Sequence, residues 1–451
     1  MSTIEDKLVE FALKTKYHNL PKDVVEYVKN TFMKTTAGLV YGSSVPDSKK
    51  AVRIFRGLQP PEAGVVGHGF RAPLAISAFL NGFFAHAAEL EDDCFPNATS
   101  DITVVPVVFS LADALKLSGK EVIEVTTVAY EVMNRTEHCI NPGGRVERVE
   151  QLGITSLPFF GVIGATIAAG RALDLTPTQL KNALGIAIGT SSGFIVNFGT
   201  TAHYYESAIA CSNGVVAAML AKEGCTGTIN FKEWMGKMLG TENLQVDKMV
   251  EGLGEKWYAC NFWIKKYPAC FLTHRQIDML IELIREQKIS YKDVEKVETE
   301  LGPVDATVDR PEPKDLEDAR FSIQHVLAST LIDGDVTPET ISWEKILDPV
   351  VAEMRKKIVV IHRPEWPKAF MSGVPKLKVY LKDGRVFEKE RDQVIGSPKY
   401  PLSREQFIEL YKKFASVVLN DTQIKESVDL LVNLEKLSDL EPLIDILVFR
   451  K

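Results

Sequence analysis

The chain has 451 residues, 45% hydrophobic and 25% charged, with a formal net charge of −7. That length exceeds what one core usually serves, about 250–300 residues, so two domains are expected and disorder is not. The negative charge, with no Lys/Arg block, argues against a nucleic-acid partner or an anionic membrane, and an anionic ligand would need a locally basic pocket. The most apolar stretch, around Pro158 to Gly170, falls short of the ~20 apolar residues that span a bilayer. The opening Met1-Ser2-Thr3-Ile4-Glu5-Asp6 is polar and acidic, unlike a secretory or transit signal. Cys94, Cys139, Cys211, Cys225, Cys260 and Cys270 show no C-x-x-C spacing, which points to a reducing, cytoplasmic setting and away from structural zinc.

From residue 4 to about 260 the apolar pattern is mostly helical. Pro21 stands at a helix start, followed by Val24, Val25, Val28, Phe32 and Met33 at three- and four-residue intervals. Asn81-Gly82-Phe83-Phe84-Ala85-His86-Ala87-Ala88 ends an apolar helix and runs into Glu89-Leu90-Glu91-Asp92-Asp93. Ionised groups at such a place need a reason, and a solvent-facing helix end is the plain one. Glu89, Asp92 and Asp93 with His86 also form a set that a divalent ion would accept. No metal is expected, because no Met, Cys or His clusters at metal-ligand spacing.

Three later helices carry start signals: Ser118 with Glu121, Thr176 with Pro177 and Gln179, and Ser403 with Gln406. Gly161, Gly164, Gly170, Gly185, Gly189 and Gly193, with interleaved alanines, predict two closely packed helices forming a buried hairpin. They do not form a phosphate loop, lacking a preceding β-branched strand and a Lys-Ser/Thr ending. After about residue 270 the character changes. Asp293–Leu301 alternates, Lys357–Ile361 is a short β-branched run, and Leu377–Glu388 is a hairpin around Asp383-Gly384. A helix is expected over Ala319–Ile332. Phe407, Leu410, Tyr411 and Phe414 return to helical spacing. The reading is a mainly α chain: an all-helical domain over 1–268 and 400–451 with an inserted α+β domain over 269–399.

Four separated motifs carry a resemblance. They are the Asn81–Asp93 segment, continued by Ser118-Gly119-Lys120-Glu121 and Tyr130-Glu131-Val132-Met133-Asn134-Arg135, and then Gly153-Ile154-Thr155 ahead of the Gly/Ala helix. The third and fourth are Gly199-Thr200-Thr201-Ala202-His203 and Lys265-Lys266-Tyr267-Pro268-Ala269-Cys270 with His274. Ala319-Arg320-Phe321-Ser322-Ile323-Gln324-His325 and Gly396-Ser397-Pro398-Lys399-Tyr400-Pro401 follow. In this order, the chain resembles the MmgE/PrpD family nearly end to end. The resemblance implies a large helical domain built from both chain ends, a smaller α+β lid domain and a homodimer. It also implies a cofactor-free site in the cleft between domains, acting on a small carboxylate by loss of water, loss of CO2 or epimerisation.

The resemblance also implies departures. Glu89 stands where most members carry Asp, Thr99 and Thr155 where they carry histidines, His203 where they carry lysine, and Glu206 where a further histidine lies; Lys265 is retained. A less cationic pocket would neutralise a tricarboxylate poorly, so a di- or monocarboxylate is expected, with β-elimination of water first, epimerisation or decarboxylation next. A silent homologue serving as a binding subunit is the contrasting class. The proton carriers expected are His203, which titrates near ~6.5, and Lys265, whose pKa Lys266 would lower. His325 is a second donor, and Glu89 and Asp93 would orient His203 or bind a substrate amine. Thr99, Thr155, Glu206, Lys266 and Gln324 are expected to contact substrate. Lys266 is otherwise a solvated charge and His274 a helix cap.

Overall fold

The computed structural model describes residues 2–95, 99–140 and 152–449. Three of its helices begin at the caps read from the sequence. Ser118, Thr176 and Ser403 each accept a hydrogen bond from the third amide of the helix they open, while Glu121, Gln179 and Gln406 reach back to the cap. Pro21 opens another helix, along which Val24, Val25, Val28, Phe32 and Met33 are all buried.

The chain divides into two compact units, Met1–Phe262 with Ser403–Lys451, and Trp263–Leu402. The break leaves Lys265 and Lys266, expected with the helical domain, in the second unit. The first unit contains α1 (Ile4–Lys14), α2 (Lys22–Ser43), α3 (Pro46–Phe55), β1 (Ala63–Val65), β2 (Phe70–Ala72), α4 (Leu74–Ala87), β3 (Asp93–Cys94) and β4 (Thr99–Ser100). It continues through α5 (Val105–Leu115), α6 (Gly119–His138), α7 (Ser156–Ala172), α8 (Pro177–Ile188) and α9 (Thr201–Lys222). It is not purely helical as expected. β1 and β2 pair antiparallel around Gly67 and Gly69, both at positive φ, and β3 pairs with β4. Strands of two or three residues are too short for alternation to show in sequence.

Helix α9 packs against α4 and α7. Small residues set the approach: a Cβ built on Gly82 would lie 2.7 Å from Cys211 Sγ, and one on Gly214 would lie 2.4 Å from the Ala165 Cβ. The α7 and α8 pair is the predicted Gly/Ala segment, but only part of it serves their mutual contact. Gly170 faces Leu180 of α8, whereas Gly161 and Gly164 face Thr103 and Met133, and Gly185 faces the backbone at Thr228.

In the second unit, α10 (His274–Gln287) precedes a four-stranded sheet ordered β6 (Ile358–His362), β5 (Val294–Leu301), β7 (Lys376–Leu381), β8 (Val386–Glu390). β5 and β6 are parallel, and β7 runs antiparallel to both β5 and β8. The Asp383-Gly384 hairpin forms as read, with Gly384 at φ 88°. The helix expected over Ala319–Ile332 is broken into α11 (Leu316–Arg320) and α12 (Ile323–Asp333). Ser322 is extended there and its hydroxyl accepts from the His325 amide, a new N-cap in mid-segment. The chain then returns to the first unit as α13 (Arg404–Ala415) and α14 (Asp421–Val432), with Phe407, Tyr411 and Phe414 buried. Among the described residues, no helix is long and apolar enough to cross a membrane.

The Gly214 contact includes backbone atoms of Ala165 and Thr166 at 2.8 Å, so no rotamer change can relieve an added methyl. Gly214→Ala is therefore expected to cost about 1–3 kcal/mol, read as a lower urea midpoint at unchanged slope.

Candidate active site

The acidic segment leaves α4 through a left-handed residue: Glu89 has φ 52°, a conformation usually given to Gly or Asn. The turn sends the carboxylates inward, not to solvent; Glu89, Glu91, Asp92 and Asp93 are each at most 7% exposed. Lys34 of α2 meets Asp92 and the Leu90 carbonyl with its ammonium group. Asp101 accepts from Thr35 and, at 2.9 Å, from the Asp92 amide. Burial first, then the neighbouring Asp92 carboxylate, push the Asp101 carboxyl well above the usual range against the pull of Lys34. One ammonium lies beside two carboxyls; Asp92 is its direct counter-ion, and Asp101 is the one whose ionised form is disfavoured.

His203 lies in the first turn of α9 and Glu206 three residues on, which places both on one helix face. His203 Nδ1 stands 3.5 Å from Glu206 Oε2, while Glu206 Oε1 accepts from the Phe194 amide at 3.0 Å and from the Asn197 side chain. Burial pushes the Glu206 carboxyl up, but these donors, His203 foremost, bring it below its ordinary value. A carboxylate facing Nδ1 favours a proton on that nitrogen, which would leave Nε2 as the acceptor. Glu206, expected to contact substrate, is the carboxylate that faces His203 in the structure. The His203 ring packs on Phe198 at 4.7 Å and on His86 at 4.1 Å between centroids. Its neighbours Tyr204 and Tyr205 instead face Phe83 and Phe79.

Thr155 opens α7 and donates its amide to the Gly193 carbonyl at 3.2 Å, and Ile154 bridges Phe194. This brings Thr155 beside the Gly193-Phe194 stretch, whose Phe194 amide serves Glu206. Thr99, in β4, is fully buried and donates its hydroxyl to Asn134 at 2.7 Å, and Asn134 donates to the Tyr258 carbonyl. Thr99, expected to contact substrate, is thus engaged with Asn134. Asp93 sits opposite Ser100 in the same ribbon. The donor atoms of His86, Glu89 and Glu91 all lie within 4.8 Å of one another, the set among the described residues nearest to metal-holding geometry. It differs from the set expected by sequence, because Asp92 is taken by Lys34.

The second unit holds the remaining expected residues. Lys265 is 1% exposed. Lys266 is partly exposed and paired: its ammonium meets Asp278, which also accepts from Tyr267 Oη and the Ile395 amide, each at 2.9 Å. A charge balanced in this way gives no reason for Lys266 to act on Lys265. Gln324 spends both amide ends, on Asp309 at 2.6 Å and on the Arg310 amide at 3.1 Å. His325 was expected to donate a proton, but its Nε2 is 2.9 Å from the Thr340 carbonyl and its Nδ1 is 3.4 Å from Arg355. Burial, outweighing the Thr340 carbonyl, pushes this ring down to about 4, so at neutral pH it is uncharged with both nitrogens engaged. His274 faces the Ala269 carbonyl at 3.1 Å and stacks on Phe271.

Comparison with known proteins bears on both units. The model of the MmgE/PrpD N-terminal domain matches residues 6–238, and that of the C-terminal domain matches residues 267–435. The chain belongs to the MmgE/PrpD family. It is similar to cis-aconitate decarboxylase of Aspergillus terreus (strain NIH 2624 / FGSC A1156), 24% identical over 99% of this chain and 96% of that protein. The Mus musculus cis-aconitate decarboxylase is 27% identical over 82% of this chain and 77% of its own length. The Homo sapiens enzyme of that name is 26% identical over 84% and 80%.

In this MmgE/PrpD protein, three side chains that hold the expected residues escaped the sequence reading. Asn197 holds Glu206, Asn134 holds Thr99, and Lys34 anchors Asp92. Only Asn134, inside a quoted motif, carried any signal.

The depressed His325 ring implies a pH slope. The unfolded ring binds its proton near ~6.5 and the folded one near 4, so the contribution is complete above about pH 6.5 and is lost as pH falls to about 4, worth about 3 kcal/mol. Asp305, pushed up to about 6 chiefly by burial, slopes the other way. His325→Gln is expected to delete the first slope alone, measured by urea unfolding between pH 7 and 4; an unchanged slope contradicts it.

Proposed function

We propose that this MmgE/PrpD protein is a carboxy-lyase that removes CO2 from a small unsaturated carboxylate, with His203 as the proton carrier. The relatives named above support loss of CO2 over loss of water. The observation that carries the residue assignment is the buried His203–Glu206 pair, the carboxylate fixed by Asn197 and the Phe194 amide.

The chemistry asks little else of it. In an acid such as cis-aconitate, the electrons of the breaking C–CO2 bond form a new double bond. The old double bond takes a proton at its far carbon. His203 Nε2 delivers that proton, Glu206 stabilises the charged ring before delivery, and solvent restores it. Glu89, Glu91, Asp92, Asp93 and Glu206 make this wall acidic, and Lys34 is engaged by Asp92. The charge supports a substrate with few carboxylates, so unsaturated dicarboxylates belong in the trial beside cis-aconitate. The second reading is elimination of water, favoured by the same pair, because an unprotonated Nε2 facing substrate is equally a base.

Incubation in D2O with cis-aconitate and its dicarboxylate analogues should release CO2 and place one deuteron on carbon. His203→Asn is expected to lower kcat by about 10²–10⁴-fold. Release of water without CO2 would select the second reading, and a fully active His203→Asn would remove His203 from either.

A further inference from the structure

Helix α9 turns one side to α4, α7 and α8, and its other side stays open to solvent. The outward positions are Ala202, Tyr205, Ile209, Asn213, Val216 and Leu220, a succession of three- and four-residue steps that keeps them on one stripe along the helix. Tyr205 is 52% exposed, Val216 39% and Leu220 41%. From Ala202 to Ala221 the charged side chains are His203 and Glu206, and both are buried. About 28 Å of helix therefore meets water without a charge. A surface helix ordinarily carries its charges on the outward side, as α13 does with Glu405, Glu409 and Lys412. The apolar face also runs on past the helix. Tyr205 packs edge-on against Phe79, which meets Phe55 of α3 at 5.2 Å, and the neighbouring Ile54 is 73% exposed.

We propose that this face binds a second copy of the chain, α9 against α9 in antiparallel sense about a two-fold axis between Ser212 and Asn213. The stripe is close to palindromic about that point, so a reversed copy presents matching positions. Tyr205 then faces the partner's Leu220, Ile209 faces the partner's Val216, and Ser212 faces the partner's Asn213. The apolar pairs bury one another, while the hydroxyl and the amide at the axis can each donate and accept. With no charge on the stripe, an identical copy meets no repulsion and an oppositely charged partner finds nothing to pair with. Two strips roughly 28 Å by 10 Å fall short of the ~1,200 Å² that a specific interface buries, so the contact extends over the flanking α3 surface. His203 lies about 14 Å along α9 from the axis, which puts the two sites at opposite ends of the paired helices. The inference stands apart from the reaction proposed above, because His203 and Glu206 occupy the other side of α9.

Sedimentation velocity of the full-length chain between about 0.5 and about 50 μM provides the test, with wild type expected at twice the chain mass. Val216→Glu and Ile209→Lys are each expected to weaken association by at least about 100-fold, since each places two unpaired charges in the contact. Circular dichroism reports that each variant remains folded, and either one suffices if the other does not fold. Mixed in equal amounts, the two variants should recover the dimer mass, because the antiparallel register sets the new acid beside the new base. A wild type that stays monomeric at the highest concentration overturns the proposal. So does a dimer whose affinity survives Val216→Glu or Ile209→Lys, which would place the interface elsewhere. A mixture of folded variants that stays monomeric overturns the antiparallel pairing.

Discussion

The distance between α9 and its two neighbours governs this site. Gly82 leaves room for Cys211, and Gly214 for Ala165, each so tightly that a methyl group would overlap its neighbour. Helices that meet backbone to backbone have little freedom to slide or roll. His203 and Ser207 are therefore held over His86 by main-chain packing, and side-chain rotamers have only small corrections to make. Side chains carried on such rigid elements keep their mutual distances more closely than side chains on loops.

Electrostatics supplies the second constraint. Five carboxyl groups, Glu89, Glu91, Asp92, Asp93 and Asp101, are buried in one short stretch, and the fold treats them unequally. Asp92 receives an ammonium ion, Asp101 is pushed toward its neutral form by burial and by Asp92, and Glu89 and Glu91 lie near an imidazole. Glu206, on a different helix, is satisfied by one backbone amide, one side-chain amide and one imidazole. Such sorting matters because an unpaired buried charge is costly, whereas a proton or a donor removes most of the penalty.

Much of this was legible from residues alone, for reasons that differ by element. The caps at Ser118, Thr176 and Ser403 are local devices completed within four residues, so their spacing is sufficient evidence. The alternation in β5 and the Asp383-Gly384 turn are likewise local. The break at Ser322 escaped because an apolar helical period continues across it, and only the cap hydrogen bond to the His325 amide decides the matter. At the site, the His203–Glu206 pair was within reach, since i,i+3 spacing on a helix joins two side chains. The contact of His203 with His86 was not, because it joins helices far apart in the chain and depends on how closely glycines let them approach. His325 shows the converse error: a histidine beside a family landmark looked chemical, but the Thr340 carbonyl and Arg355 claim both of its nitrogens.

Glu89 carries one more implication. A residue with a side chain in the left-handed region gives up about 1–2 kcal/mol that glycine would keep, and the turn after α4 would accept glycine readily. Drift toward the more stable residue is open at this position with a single substitution. Glycine at this turn would relieve the backbone but remove a buried carboxylate, so the stability of the turn and the charge of the segment after α4 are set by one and the same residue.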